Sequence, residues 1–210
     1  MSLILQGSTS GSVTLQEPAV AGTTVLTLPA TSGNVVVDSA TQTLTNKTIQ
    51  GGTITSGTAV ASTSGTSIDF TSIPSWVQRI TVMFNGVSTS STSLQLIQIG
   101  SGSVSSSGYT SLGSAGYNTS QFLVSSSTAG FVIYNNQAAA VLSGSIVLSL
   151  ISSNTWVCSA VLSNTAGVTP AMYSTSGNSP ALGGALDRVR ITTVNGTDTF
   201  DAGTINILYE

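Results

Sequence analysis

Apolar residues recur at every second position over most of the C-terminal three quarters of this chain. Residues 79–86 place Ile80, Val82 and Phe84 on one face, and residues 145–150 place Ile146, Leu148 and Leu150 likewise. Further alternating or apolar runs lie at 68–70, 93–99, 121–124, 131–134, 155–162, 188–194 and 204–209. A period of two is the mark of a half-buried β-strand. About eight short strands separated by turn residues predict an all-β fold, an antiparallel β-sandwich of jelly-roll type over residues 61–210. Asn85-Gly86 and Asn195-Gly196 read as tight hairpin turns. Residues 100–120, rich in Gly and Ser, read as a long loop carrying Tyr109 and Tyr117. Residues 72–77 carry a weak helical signal after the turn at Pro74.

Before residue 61 the pattern changes twice. Residues 1–40 hold short β segments at 12–17, 23–28 and 34–38, punctuated by Gly11, Gly22 and Gly33. They are too few and too short to close a core alone, so they must pack on another body. They are read as an attachment region. Over residues 41–60, Leu44, Ile49, Ile54 and Ala59 fall five apart among Thr, Asn, Gln, Gly and Ser. That is neither a helical nor a strand period. Three chains wound about one axis would each turn such residues inward, so a short shaft is expected here, with a solvated Ser/Thr/Gly linker as the alternative.

Composition sharpens this picture. Charged residues make up 5% of the 210-residue chain, against about 25% in ordinary soluble domains. Ser and Thr, roughly a third of the residues, supply the polarity instead. A chain that omits surface charge usually hides its surface in an assembly. The four cations Lys47, Arg79, Arg188 and Arg190 cannot form the basic stripe that nucleic acid requires. No apolar run approaches the length that spans a bilayer, and the first residues lack the features of an export signal. Synthesis in a cytoplasm without membrane insertion is expected.

Candidate chemistry is sparse. The chain has no His, which removes His-based nucleophilic triads and His-ligated metal sites. Cys158 is alone, inside the alternating run 156–160, and reads as a small buried hydrophobe. Trp76 and Trp156 also read as core. Asp198 and Asp201 beside Asn195-Gly196 read as a solvated turn, and Asp187 with Arg188 and Arg190 as a strand-edge ion pair. No catalytic residue, metal site or cofactor is therefore expected. Binding is better supported. Aromatic rings stack on the apolar faces of sugars while amides meet their hydroxyls. Tyr109, Tyr117, Asn118, Tyr134, Asn135 and Asn136 are the candidate ligand-binding residues.

Two stretches carry a family resemblance. GSVTLQEPAVAGTTVLTLP at 11–29, followed by TLTNKTI at 43–49, resembles the N-terminal parts of tail fibre and related appendage proteins of tailed bacteriophages. IDFTSIPSWVQRITVMFNGVST at 68–89 resembles a segment that recurs in the distal β domains of such proteins. The resemblance implies a virion structural protein, commonly a homotrimer. Residues 1–40 would hold other virion proteins, and the distal domain would face outward toward bacterial surface glycan. Short tail fibres, head fibres and capsid decoration proteins share these pieces, so a decoration protein without a specific receptor is the alternative.

Overall fold

The computed structural model describes residues 3–15, 19–20, 22–23, 54–118, 121–164 and 169–210. The chain divides into two units, Met1–Thr48 and Ile49–Glu210. The first holds an antiparallel hairpin of β1 (Leu3–Gln6) and β2 (Ser12–Leu15), with Leu3 opposite Leu15. The expected segments at 23–28 and 34–38, and Leu44 and Ile49, lie outside the described residues.

The second unit is all-β and antiparallel, as the alternation predicts. Its strands begin with β3 (Thr55–Ser56), β4 (Val60–Ala61), β5 (Ile68–Phe70), β6 (Arg79–Thr89), β7 (Gln95–Ser101) and β8 (Ser103–Val104). Then come β9 (Thr110–Tyr117), β10 (Phe122–Ser127), β11 (Phe131–Ile133), β12 (Leu142–Ser152) and β13 (Thr155–Asn164). β14 (Ala171–Asn178), β15 (Arg188–Thr193) and β16 (Phe200–Tyr209) complete it. One nine-stranded sheet runs β10-β9-β14-β13-β12-β6-β16-β3, with β4 also on β16. A five-stranded sheet runs β11-β7-β15-β5, with β8 on β7. Successive strands switch repeatedly between the sheets, so each long strand lays one face on the other layer. Ile80, Val82, Phe84, Ile146, Leu148, Trp156 and Ile205 meet Ile97, Ile99, Phe131, Val189 and Ile191 in one buried cluster. Each such side chain contributes about 1.5–3 kcal/mol on leaving water.

Several expectations are corrected. Asn85-Gly86 is no hairpin turn; it is a bulge inside β6. Val87 faces Leu142 and Phe84 faces Gly144, so the β6 side carries one extra residue. Gly86 has φ +67°, and Gly203 on β16 (φ +96°) stands so close that a Cβ there would overlap the Gly86 carbonyl. Glycine is needed twice because two left-handed backbones meet. Asn195-Gly196 does form a tight turn, but it carries the chain between sheets. Residues 72–77 form a turn, closed by the Val77 N–H donating to Pro74 O at 3.1 Å, and no helix.

The largest correction concerns residues 100–120. Residues 100–118 are not one loop: β8 and all of β9 lie there, and β14 is a further strand that the alternation does not announce. These two strands pair with each other in the wide sheet. Apart from Tyr173, their inward residues Ser111, Gly113, Ala115, Ala171 and Thr175 are small, and β11 passes directly beneath them. Val132 of β11 donates its N–H to Ser111 Oγ at 3.0 Å and accepts from Thr175 Oγ1 at 2.8 Å. At Gly113 a Cβ would overlap the Val132 carbonyl oxygen. Glycine, serine and threonine here mark close approach of layers, which removes the apolar half of the alternation.

Candidate functional site

The six expected ligand-binding residues separate into two groups. Tyr109 and Asn135 are interior, which corrects the expectation that they form a receptor surface. Tyr109 is 1% exposed and sets its ring edge-on to Phe131, with centroids 5.1 Å apart. Its phenol oxygen accepts the Ile99 N–H at 2.8 Å and faces the Ser105 and Ile99 carbonyls at 3.1 and 3.2 Å. Burial pushes its pKa up to about 12, opposed in part by the Ile99 hydrogen bond. The side chain therefore ties the start of β9 to β7, in the same way that a buried phenol commonly finds one polar partner. Asn135 is buried and its Oδ1 accepts the Gln137 N–H at 3.3 Å, which shapes the turn after β11. The other four reach the surface at least in part. Tyr117 donates its hydroxyl to Asn136 Oδ1 at 3.0 Å, which brings these two together. Asn118 is exposed beside Tyr117, and Tyr134 is half-buried against the core edge.

Of the expected axis residues, Ile54 and Ala59 are exposed. They flank β3 and β4, which pair with β16 at Leu208–Tyr209 and Thr204–Ile205. Part of the expected shaft thus supplies strands to the wide sheet.

The described carboxylates occupy structural contacts. Asp69 takes Arg190 in a two-pronged pair at 2.7 and 3.0 Å. Asp187 pairs with Arg188 at 2.7 Å, and that bond holds its carboxyl below the usual range. The expected ion pair is present there, while Arg190 turns to Asp69. Asp198 is not solvated: it is buried and accepts from Asn195 Nδ2 at 2.6 Å and the Ser93 N–H at 3.0 Å. Asp201 meets the Ser88 hydroxyl, and Glu210 meets Arg79. Cys158 is buried, and burial pushes its thiol up to about 12.

The most unusual surface is the outer face of the wing β10-β9-β14-β13-β12. From residue 80 to residue 186 the chain contains no Asp, Glu, Lys or Arg, and all five strands come from that stretch. Three rows cross the wing in register. Phe122, Gly116, Met172, Ser163 and Ser143 form the first. Val124, Ser114, Ser174, Val161 and Ser145 form the second, and Ser126, Leu112, Ser176, Ser159 and Val147 the third. Phe122 is 70% exposed, Met172 63% and Val161 57%. Ser114 and Ser174 hydrogen-bond to each other at 2.7 Å, which lowers their demand for water. The wing ends at β10, an edge strand without the Lys, Pro or inward charge that ordinarily protects an edge. Sequence reasoning missed this face because β9 and β14 carried no strand signal. The gap in charge between Arg79 and Asp187 was the signal available for it.

Comparison with protein-family models, curated proteins and solved structures finds no match to the chain.

Proposed function

We propose that the chain is a structural protein of a bacteriophage virion, a fibre or head appendage that assembles as a homotrimer. Residues 1–40 attach to other virion proteins, and the sandwich stands outward, toward host surface glycan. The observation that carries this reading is the uncharged wing. A broad sheet face with exposed Phe122, Val124, Leu112, Met172 and Val161 and no charge suits packing against sister chains, because no ion is stripped of water when it is covered. Obligate interfaces of this apolar kind ordinarily bury about 2,000–5,000 Å². The resemblance of residues 11–29, 43–49 and 68–89 to appendage proteins supports the same conclusion and supplies the threefold number.

The test is the mass of the purified full-length protein by light scattering, beside an unboiled denaturing gel. Three copies are expected. Val161→Lys with Met172→Lys would place unpaired cations in the interface, at about 3–5 kcal/mol per buried charge, and reduce the mass to one copy. A wild-type monomer, or a trimer indifferent to both lysines, refutes the assignment of this face.

A further inference from the structure

One register row crosses the outer face of the wide sheet from edge to edge. It runs from Ser126 on β10 through Leu112, Val147, Thr81 and Leu208 to Ser56 on β3. Leu112 stands one strand in from the β10 edge, and Leu208 one strand in from the β3 edge. Leu112 is 49% exposed. Its neighbours on this face are Ser126 and Ser176 across the strands and Thr110 and Ser114 along its own strand. All four are smaller than leucine, so Leu112 protrudes. At the other end of the row lies a shallow groove of about 180 Å³, lined by Ile54, Arg79, Thr81, Leu208, Tyr209 and Glu210. Trp76, expected in the core, is 49% exposed against Tyr209 but does not line this groove.

A knob and a hole at opposite ends of one row meet the conditions for a ring. Threefold contacts are heterologous, so each copy must offer two different patches, one to each neighbour. A rotation without rise closes the ring, whereas a rise produces an open filament. Ladder hydrogen bonds run perpendicular to the strands, so the two ends of a row stand level along the strand direction. Charge agrees as well. Arg79 and Glu210 pair through their side chains, so the groove has no net charge to oppose an uncharged wing. The next row places Thr110 level with Arg79. We infer that the groove receives Leu112 of a second copy of this chain, and that three such contacts close the ring. This deepens the proposed assembly and rests on it. β10 of one copy then lies beside β3 of the next, which covers an edge that has no protective charge. The Thr110 hydroxyl comes opposite the Arg79–Glu210 pair, with which it can hydrogen-bond.

Ser126→Cys and Ser56→Cys put one exposed thiol at each end of the row, and the native Cys158 is buried. Full-length protein carrying both would be treated with a short bismaleimide, boiled and run on a denaturing gel. Light scattering of the untreated sample gives the copy number. The expected result is a covalent trimer from the double variant and monomer from each single variant. Adding Leu112→Ala should weaken assembly about tenfold per contact, read as loss of cross-linking on dilution, while Leu112→Met should retain it within a few-fold. A covalent dimer from either single variant means that like patches meet, and overturns the inference. A three-copy mass without cross-links overturns it and leaves the trimer standing. A ladder running past three upholds the groove contact but refutes the closed ring, and with it the proposed trimer. A one-copy mass refutes both.

Discussion

Gly113 tests how the two layers are held together. It lies in β9 directly over β11, where a Cβ would overlap the Val132 carbonyl oxygen and stand 3.1 Å from the Tyr134 nitrogen. Backbone, not a flexible side-chain end, is what it would strike. Gly113→Ala must therefore push β11 away from the wide sheet. Overpacking of this kind costs about 1–3 kcal/mol. The same displacement stretches the two side-chain bonds to Val132, from Ser111 at 3.0 Å and Thr175 at 2.8 Å, each worth about 1 kcal/mol. The sum is about 3–5 kcal/mol, or a fall of about 6–20 °C in Tm for a chain of this size. Gly183, in the loop before β15 and away from the wing, is the control: a Cβ there meets nothing within 4 Å. Gly183→Ala should be neutral or gain about 0.5–1 kcal/mol from the restricted unfolded chain. Urea unfolding at one fixed protein concentration measures both, since association makes stability concentration-dependent. If the two alanines have equal effects, or Gly113→Ala stays within about 0.5 kcal/mol of wild type, the close approach of β11 is wrong.

Two further outcomes follow from the interior. Tyr109→Phe leaves the buried Ile99 N–H without its 2.8 Å acceptor and should cost about 1–3 kcal/mol in urea unfolding while leaving glycan binding unchanged; lost binding at full stability would return Tyr109 to the ligand surface. Burial raises Tyr109 from 10.0 and Cys158 from 9.0, each to about 12, so the unfolded chain releases these protons first. The stability they hold is complete below about pH 9 and declines up to about pH 12, by about 1.4 kcal/mol per pH unit for each group in its own window. A urea midpoint that does not fall over that range contradicts the burial of both.

Particular residues show why some elements were legible and others were not. β6, β12, β13 and β16 lie with one face in the core and one face out, so Ile80, Val82, Ile146, Leu148, Trp156 and Ile207 reproduce the period of two. Trp156 was readable as core for that reason. Trp76 has an equally apolar neighbourhood in sequence, yet it stands half exposed, because the turn at Pro74 and not a strand sets its direction. Tyr109 has Gly/Ser neighbours like a loop tyrosine, and the core contact that buries it comes from Phe131 and Ile99, distant in sequence. Arg79 and Glu210 pair through backbone and side chains although more than a hundred positions separate them, so no local motif could mark their contact.

The amino-acid sequence by itself determined the all-β class, the inward faces of the regularly alternating strands, and a surface nearly without charge. Those properties are local, because a two-residue period and the presence or absence of an ionisable side chain require no knowledge of the neighbours. Only the tertiary structure decided the uses of the small residues. Asn85-Gly86 became a bulge because Gly203 lies against it, and Gly113 became a strand position because β11 passes beneath it. A glycine satisfies a turn, a bulge or a close approach equally well, and what lies opposite in space selects among them.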